Sequence, residues 1–292
     1  MVEETQDTVF YNCKELNVDL INPNEECLKN PKIGGSKIIV VGKPNTGKST
    51  LIRDFIYRKS HIIPVGIVVS GTEQPTPFYS KFIHPHFVHY EYNDNDIMDK
   101  IKRQLYSIEN KISNPWGLIL LDDCTEDKTI FNSKLQASIF KNGRHYKLLY
   151  ILSLQFSTDI TPTLRSCVDG IFILRETNEY NLKRIYINYA SVIPKFELFK
   201  TYMSQITGDF NALYIDNSSQ QGEWYEHVYF WKAEKELPKE IDEKGVERDF
   251  QFGCFEFIQF GNQRTKLEKD KREFTFGNTK NRKIIWRSPQ KA

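Results

Sequence analysis

The sequence predicts an α/β fold, a mainly parallel sheet sandwiched by helices, and three observations carry the prediction. Apolar runs such as "SKIIVVG" (36–42), "WGLILLDD" (116–123) and "YKLLYILSLQ" (146–155) are continuous rather than alternating. A strand reads that way when both of its faces are covered. Helical patterns lie between these runs, which calls for crossover connections and a parallel sheet. Thirdly, the first strand runs straight into a glycine-rich turn that opens a helix, at "VVGKPNTGKSTLIRDFI" (40–56).

In chain order, residues 1–35 are polar, carry a "NPNEE" turn and end at Gly34-Gly35, so they read as an arm leading to the first strand. After strand 36–42 comes a helix over "GKSTLIRDFIYRK" (47–59), then a strand in "IPVGIVVSG" (63–71) and a third in "FVHYEY" (87–92). "DNDIMDKIKRQLYSIENKI" (94–112) has apolar residues at helical spacing, with Asp94 as the expected cap. Strand 116–123 follows, then a helix over "TIFNSKLQASIFKNG" (129–143) ending at Gly143, and strands at 146–155 and "GIFILRE" (170–176). The expected organisation is an arm at 1–35, a core at 36–215 and a C-terminal extension at 216–292. The extension is aromatic, with hairpin-like segments such as "EWYEHVYFWKA" and "FGCFEFIQFGN" and a basic tail.

Composition limits the function classes. At 39% hydrophobic and 27% charged residues the chain can bury a core. No apolar run approaches the roughly 20 residues that span a bilayer, so no membrane span is expected. The acidic start "MVEETQDTVFYNCKE" is unlike a secretory signal. Five scattered cysteines form no C-x-x-C pair, which fits free thiols in a reducing compartment. Residues 262–292 hold ten Lys/Arg against three acids, a net of +7; the chain's +2 therefore leaves −5 on the rest. That tail, with aromatics interleaved in "REFTFGNTKNRKIIWR" (272–287), suits an anionic partner such as nucleic acid, or an edge hairpin packed on the core.

"GKPNTGKST" is G-x-x-x-x-G-K-[ST], the phosphate-binding P-loop, in the strand-to-helix context it needs. Gly42, Lys43, Pro44, Asn45, Thr46, Gly47, Lys48, Ser49 and Thr50 are the expected nucleotide-binding residues. Glycines let backbone N–H groups turn toward a polyphosphate at the helix N-terminus. Lys48 reaches the β and γ phosphates, and the Ser49 hydroxyl holds Mg²⁺. Downstream, four aliphatics run into Asp122-Asp123, the Walker B arrangement. Asp122 is expected to hold Mg²⁺ and Asp123 to polarise the attacking water, with Glu126 as the alternative acid. Gln155, at the tip of the next strand, is placed to face the γ-phosphate. Arg144, at the start of that strand, lies across the sheet from its own nucleotide and could reach a neighbouring subunit's; Arg165 is the competing trans-acting arginine, and for either a surface ion pair is the plainer role. His84, His86 and His89 form no complete metal set and read as ordinary partly buried histidines.

The acids distinguish between P-loop classes. Asp122-Asp123-Cys124-Thr125 is not the D-x-x-G of a GTPase, and Asn110-Lys111-Ile112-Ser113 lacks the aspartate of N-K-x-D. A small-molecule kinase would lack "IPVGIVVSG" between the P-loop and acid-bearing strands and would carry an arginine-rich lid. The pattern describes a RecA-like P-loop NTPase of the additional-strand class.

"GKPNTGKSTLI", "VVSGTEQPTPFYSKF", "LILLDDC", "NGRHYKLLYILSLQ" and "TPTLRSCVDGIFIL" together resemble the genome-packaging ATPases of large double-stranded DNA viruses, the poxvirus-type branch of the FtsK–HerA superfamily. The resemblance covers residues 36–215. It implies an ATP-driven DNA translocase that packages viral double-stranded DNA into a preformed capsid, with ATP and Mg²⁺ bound between subunits of a homo-oligomeric ring, a pentamer or hexamer. It implies Lys48, Asp123, Arg144 and Gln155 as catalytic residues, with Arg144 at the superfamily's finger position and Gln155 at its sensor position. Capsid or virion proteins are the further partners, and the host cytoplasm, at viral factories, and the virion are the implied locations. Two other readings share the motifs: another FtsK–HerA-type helicase or DNA-transfer ATPase, and a nucleotide-binding assembly or scaffold protein with little turnover.

Overall fold

The computed structural model describes residues 13–124, 128–219, 221–241 and 245–276. Strand β1 (Lys14–Glu15) and helix α1 (Glu25–Lys29) precede β2 (Lys37–Val41), α2 (Lys48–Lys59), β3 (Gly66–Ser70) and β4 (Val88–His89). Then come α3 (Asp94–Glu109), β5 (Gly117–Asp122), α4 (Lys134–Asn142), β6 (Leu148–Leu154), α5 (Pro162–Arg165) and β7 (Gly170–Ile173). Helices α6 (Glu179–Ile185) and α7 (Phe196–Ile206), strands β8 (Asn211–Asp216), β9 (Val228–Lys232), β10 (Glu240–Ile241) and β11 (Glu247–Arg248), and helix α8 (Phe255–Phe276) complete the order.

Nine strands form one sheet in the order β1-β9-β8-β7-β2-β6-β5-β3-β4. From β7 to β4 all neighbours are parallel; β8 runs antiparallel to both β7 and β9. This is the RecA-like additional-strand arrangement. In space the strand separating the P-loop strand β2 from the acid-bearing β5 is β6, whereas β3, the extra strand in sequence order, lies outside β5.

The continuous apolar runs are explained by burial on both faces. Ile39, Val41, Ile119, Leu121 and Leu152 pack with residues of α3, α4, α6 and α7 on one side. Ile38, Val40, Leu118, Leu120 and Ile151 pack with Leu51, Ile52 and Phe55 of α2 on the other. Parallel pairing and covered faces are the two halves of the same constraint, since crossovers place helices on both sides.

Three local expectations change. The helix over 129–143 is split: Lys128–Asn132 form a 3-10 turn, and Ser133 caps α4 by accepting from the Gln136 N–H at 3.1 Å. The cap of α3 is Asn93, whose side chain accepts from the Asn95 N–H at 2.8 Å; Asp94 is already the first helical residue. "FGCFEFIQFGN" is not a hairpin but leads into and begins α8. Only Phe255 and Phe257 alternate like a strand, whereas Phe257 and Phe260, three apart, share the helix face that stacks on Phe87. Phe255 is left exposed. "EWYEHVYFWKA" supplies a 3-10 turn and then β9, which extends the main sheet. The side chains of 272–287, and Glu126, lie outside the described residues. Among the described residues no helix is long and apolar enough to cross a membrane.

The arm is tied to the body through α2. Leu16 and Ile21 are buried beside Leu51 and Phe55. Lys59, wholly buried at the end of α2, donates to the Ile21 and Pro23 carbonyls at 2.6 and 2.8 Å. Burial pulls its pKa down from 10.5 to about 8. The unfolded chain therefore holds this proton up to a higher pH than the folded one, and folding stability rises as pH goes from 8 to 10.5. The expected gain from this group is ~3 kcal/mol. Urea unfolding of the wild type and Lys59→Met across that window checks it; the methionine variant should lack the extra slope.

Candidate functional site

The candidate site sits at the carboxyl edge of β2, β5 and β6, where ligands of such sheets collect. The Gly42 N–H donates to the Leu154 carbonyl at 3.1 Å, which fixes the start of the P-loop against β6. The loop then curls through two left-handed residues, Asn45 (φ 62°) and Gly47 (φ 98°). Gly47 is the N-cap of α2 and offers no side-chain cap, so the first N–H groups of the helix are left for an anion. Thr46 Oγ1 donates to the Lys43 carbonyl at 2.7 Å, and a Cβ on Gly42 would come within 2.6 Å of that hydroxyl. Pro44, Ser49 and Thr50 complete the expected loop and first turn.

Lys48 is buried and donates to the Gly42 carbonyl at 2.8 Å; its Nζ lies 4.0 Å from Asp123 Oδ1. Lys43 turns the other way, pairing its ammonium with Glu176 at 2.7 Å beyond the end of β7. Its backbone, not its charge, belongs to the loop.

Asp122 ends β5 almost fully buried. Burial raises its pKa, and the neighbouring Asp123 charge adds to the shift. One carboxylate oxygen, Oδ2, accepts from the Tyr79 hydroxyl at 2.8 Å. The other, Oδ1, is buried with no partner among the described residues. A buried carboxylate oxygen unpaired among the described residues, on the aspartate whose partner Tyr79 also reaches the P-loop Ser49, is the kind of ligand that a hard divalent cation takes. Asp123 adopts φ 51°, a left-handed conformation uncommon for a non-glycine residue. Its Oδ1 accepts from the Gln155 amide at 2.9 Å. Lys48, Asp123 and Gln155, expected from three separate motifs, therefore converge.

Tyr79 and Glu73 were not expected. Tyr79 is fully buried between Asp122 and Ser49, and burial raises its pKa. Glu73, also buried, accepts from the Phe78, Tyr79 and Ser80 N–H groups and from the Ser80 hydroxyl at 2.6 Å. Burial alone would push its pKa up, but those hydrogen bonds outweigh it and the net shift is downward. The carboxylate thus ties the loop after β3 into the shape that presents Tyr79 to Asp122. The only local sign is an acid followed by "PFY" just past a strand end; no periodicity or spacing marks it.

The arginines lie elsewhere. Arg144 is just before β6, at the opposite edge of the sheet from the P-loop. Its guanidinium is half exposed and pairs with the buried carboxylate of Asp169, which also accepts from the Lys37 backbone N–H and pairs with Lys37 Nζ, each at 2.8 Å. Gly34 and Gly35 allow this approach: a Cβ on Gly34 would lie 2.7 Å from Arg144 Cβ. Arg165, at the end of α5, donates to the Ile160 carbonyl of its own connection at 2.7 Å. His84, His86 and His89 face three different partners, Asn262, Glu268 and Asp96.

No family model matches the chain. It is 59% identical to "Uncharacterized protein 075L" of Invertebrate iridescent virus 6, over 88% of this chain and 96% of that protein. It is 42% identical to "Uncharacterized protein 088R" of Invertebrate iridescent virus 3, over 88% and 96%, and 29% identical to "Uncharacterized protein L437" of Acanthamoeba polyphaga mimivirus, over 84% and 88%. Among solved structures it is similar to the genome packaging NTPase B204 of Sulfolobus turreted icosahedral virus 2 in complex with AMPPCP. That match has a TM-score of 0.48 and 18% identity, and covers 67% of this chain and 96% of B204. The pCW3 conjugation coupling protein TcpA gives a TM-score of 0.46 at 11% identity, covering 80% of this chain and 65% of TcpA.

Proposed function

The chain belongs to a family of large-DNA-virus proteins found in Invertebrate iridescent viruses 6 and 3, and we propose that it is an ATP-driven DNA translocase of the FtsK–HerA type that packages viral double-stranded DNA. The observation that supports this best is the convergence of Lys48, Asp122, Asp123 and Gln155 on the P-loop, combined with an arginine at the far edge of the sheet.

The P-loop N–H groups and Lys48 bind the triphosphate and draw charge from its β and γ oxygens. Ser49 and Asp122 would hold Mg²⁺, through the Ser49 hydroxyl and the unpaired Oδ1; Mg²⁺ supplies charge neutralisation on the phosphate oxygens when bound. Asp123 takes a proton from the attacking water as the new P–O bond forms and the bond to the β–γ bridging oxygen breaks. Gln155 holds the Asp123 carboxylate in place and senses the γ-phosphate. Arg144 of a neighbouring copy stabilises the charge on the transferring phosphoryl group, so turnover depends on a ring. DNA is gripped by its phosphates, which makes binding independent of sequence and sensitive to salt. Capsid proteins are the further partners, and the viral factory in the host cytoplasm and the virion are the sites of action.

ATP hydrolysis measured against protein concentration, with and without duplex DNA, tests the reading. The specific rate should rise with both. A rate indifferent to concentration and to DNA would overturn it.

Tyr79→Phe removes the hydroxyl that holds Asp122 Oδ2 and touches Ser49, and leaves the ring in place. The expected result is a ~10–100-fold increase in the Mg²⁺ concentration needed for half-maximal rate, as for other groups that orient metal ligands, with a stability loss no larger than the about 1–3 kcal/mol of one buried hydrogen bond. A lower melting temperature at unchanged Mg²⁺ dependence would assign Tyr79 to packing alone.

A further inference from the structure

At the other end of the P-loop lies an aromatic ring that none of the steps above uses. Phe210 precedes β8, and its half-buried ring packs against Gly47, the glycine that opens α2. A Cβ on Gly47 would lie 2.9 Å from Phe210 Cδ1. Asp209 and Phe210 are consecutive left-handed residues, at φ 45° and 67°, a conformation that non-glycine residues hold only where the surroundings impose it.

The surroundings are identifiable. The Ala233 N–H donates to the Phe210 carbonyl at 3.2 Å. Arg53 of α2 donates to the Lys235 carbonyl, which seats residues 233–236 against the P-loop helix. Lys235 Nζ lies 4.6 Å from the Phe210 ring centroid and 2.7 Å from Asp209 Oδ1. Next to this ring, Asp209 and residues 232–236 line an open cleft of about 420 Å³.

Strand order sets the direction of a bound triphosphate. Its γ end is defined by Asp122, Asp123 and Gln155, on β5 and β6 to one side of β2. From there a bound triphosphate would follow the loop around the start of α2, toward β7 and β8, which lie on the other side of β2. What is attached to the α-phosphate emerges over Phe210. We propose that Phe210 is the platform on which the nucleobase stacks, with Lys235 as a movable cap over the ring, and that this platform favours purine nucleoside triphosphates. This rests on the nucleotide-binding reading of the P-loop. Stacking on an aromatic ring tolerates any base and gains with the area of its π-face. Lys235 is more than half exposed and is anchored at its tip by an exposed aspartate, so it can leave the ring face.

Calorimetric titration of the full chain with ATP, CTP and inorganic tripolyphosphate, for wild type, Phe210→Leu and Phe210→Trp, tests the proposal. Tripolyphosphate has no base, so it reports the P-loop alone. Wild type should bind ATP more tightly than CTP. Phe210→Leu should weaken ATP about 5–100-fold, the range for loss of one base–aromatic stack, with tripolyphosphate affinity unchanged. Phe210→Trp, which keeps an aromatic face, should retain ATP affinity at the wild-type level or above. If Phe210→Leu lowers ATP and tripolyphosphate alike, or lowers neither, the platform is refuted while the nucleotide-binding reading stands. If the wild type binds neither ATP nor tripolyphosphate, both fall together.

Discussion

Arg144→Ala is expected to lower ATP turnover by about 10³–10⁵-fold, the range for loss of an arginine finger, with ATP affinity unchanged. Strand β6 has seven residues and so spans about 20 Å. Arg144 stands before its first residue and Gln155 follows its last. A side chain at the start of β6 cannot reach across the sheet to its own phosphates, so a direct contact with a transferring phosphoryl group has to be made in another copy. Mixing wild-type and Arg144→Ala chains at constant total concentration should therefore depress the rate more steeply than the wild-type fraction falls. The ion pair with Asp169 supplies the competing explanation. Asp169 keeps its contacts to Lys37 when the arginine is removed, so the fold should survive. A drop in melting temperature at full turnover would make Arg144 a structural residue and return the search to Arg165.

The second large effect is expected from Asp123→Asn, a fall in turnover of about 10²–10⁴-fold, as for loss of a general base. Asparagine tolerates the left-handed backbone of this position as well as aspartate does. Its carbonyl oxygen can still accept the Gln155 amide. The substitution thus leaves the local geometry and removes the charge and the proton acceptor. Single-turnover hydrolysis with saturating ATP is the direct measurement. An unchanged rate would mean that Asp123 takes no proton, and would support the reading in which the chain binds nucleotide for assembly with little turnover.

The site was readable from sequence in unequal parts. The P-loop and the Asp122-Asp123 pair were legible because each is a run of neighbouring residues whose spacing carries the chemistry. Gln155 was placed by counting one strand-helix unit onward; its bond to Asp123, 32 positions away, was not visible. Tyr79 sits 43 positions before the aspartate it orients, in a segment with no periodicity. Phe210 reads in sequence as one more aromatic. The C-terminal segment differs from its hairpin expectation because its phenylalanines, at 252, 255, 257 and 260, mix strand-like and helix-like spacings, and the Phe87 ring opposite Phe257 and Phe260 shows which face is buried.

The class of fold and the presence of a phosphate-binding loop with its acids can be read from the order of residues alone. Both rest on local physics: apolar runs covered on two faces, and backbone N–H groups of consecutive residues turned inward by glycine. Three-dimensional packing adds which carboxylate oxygen of Asp122 is held and which is unpaired among the described residues, that Lys43 pairs outward with Glu176, that Arg144 rests on Asp169, and which strands flank β2. Those are orientations and neighbours rather than identities. They depend on groups brought from distant parts of the chain by the strand order 7-2-6-5-3, and that order is set by how the helices cover both faces of the whole sheet, which no short stretch of sequence contains.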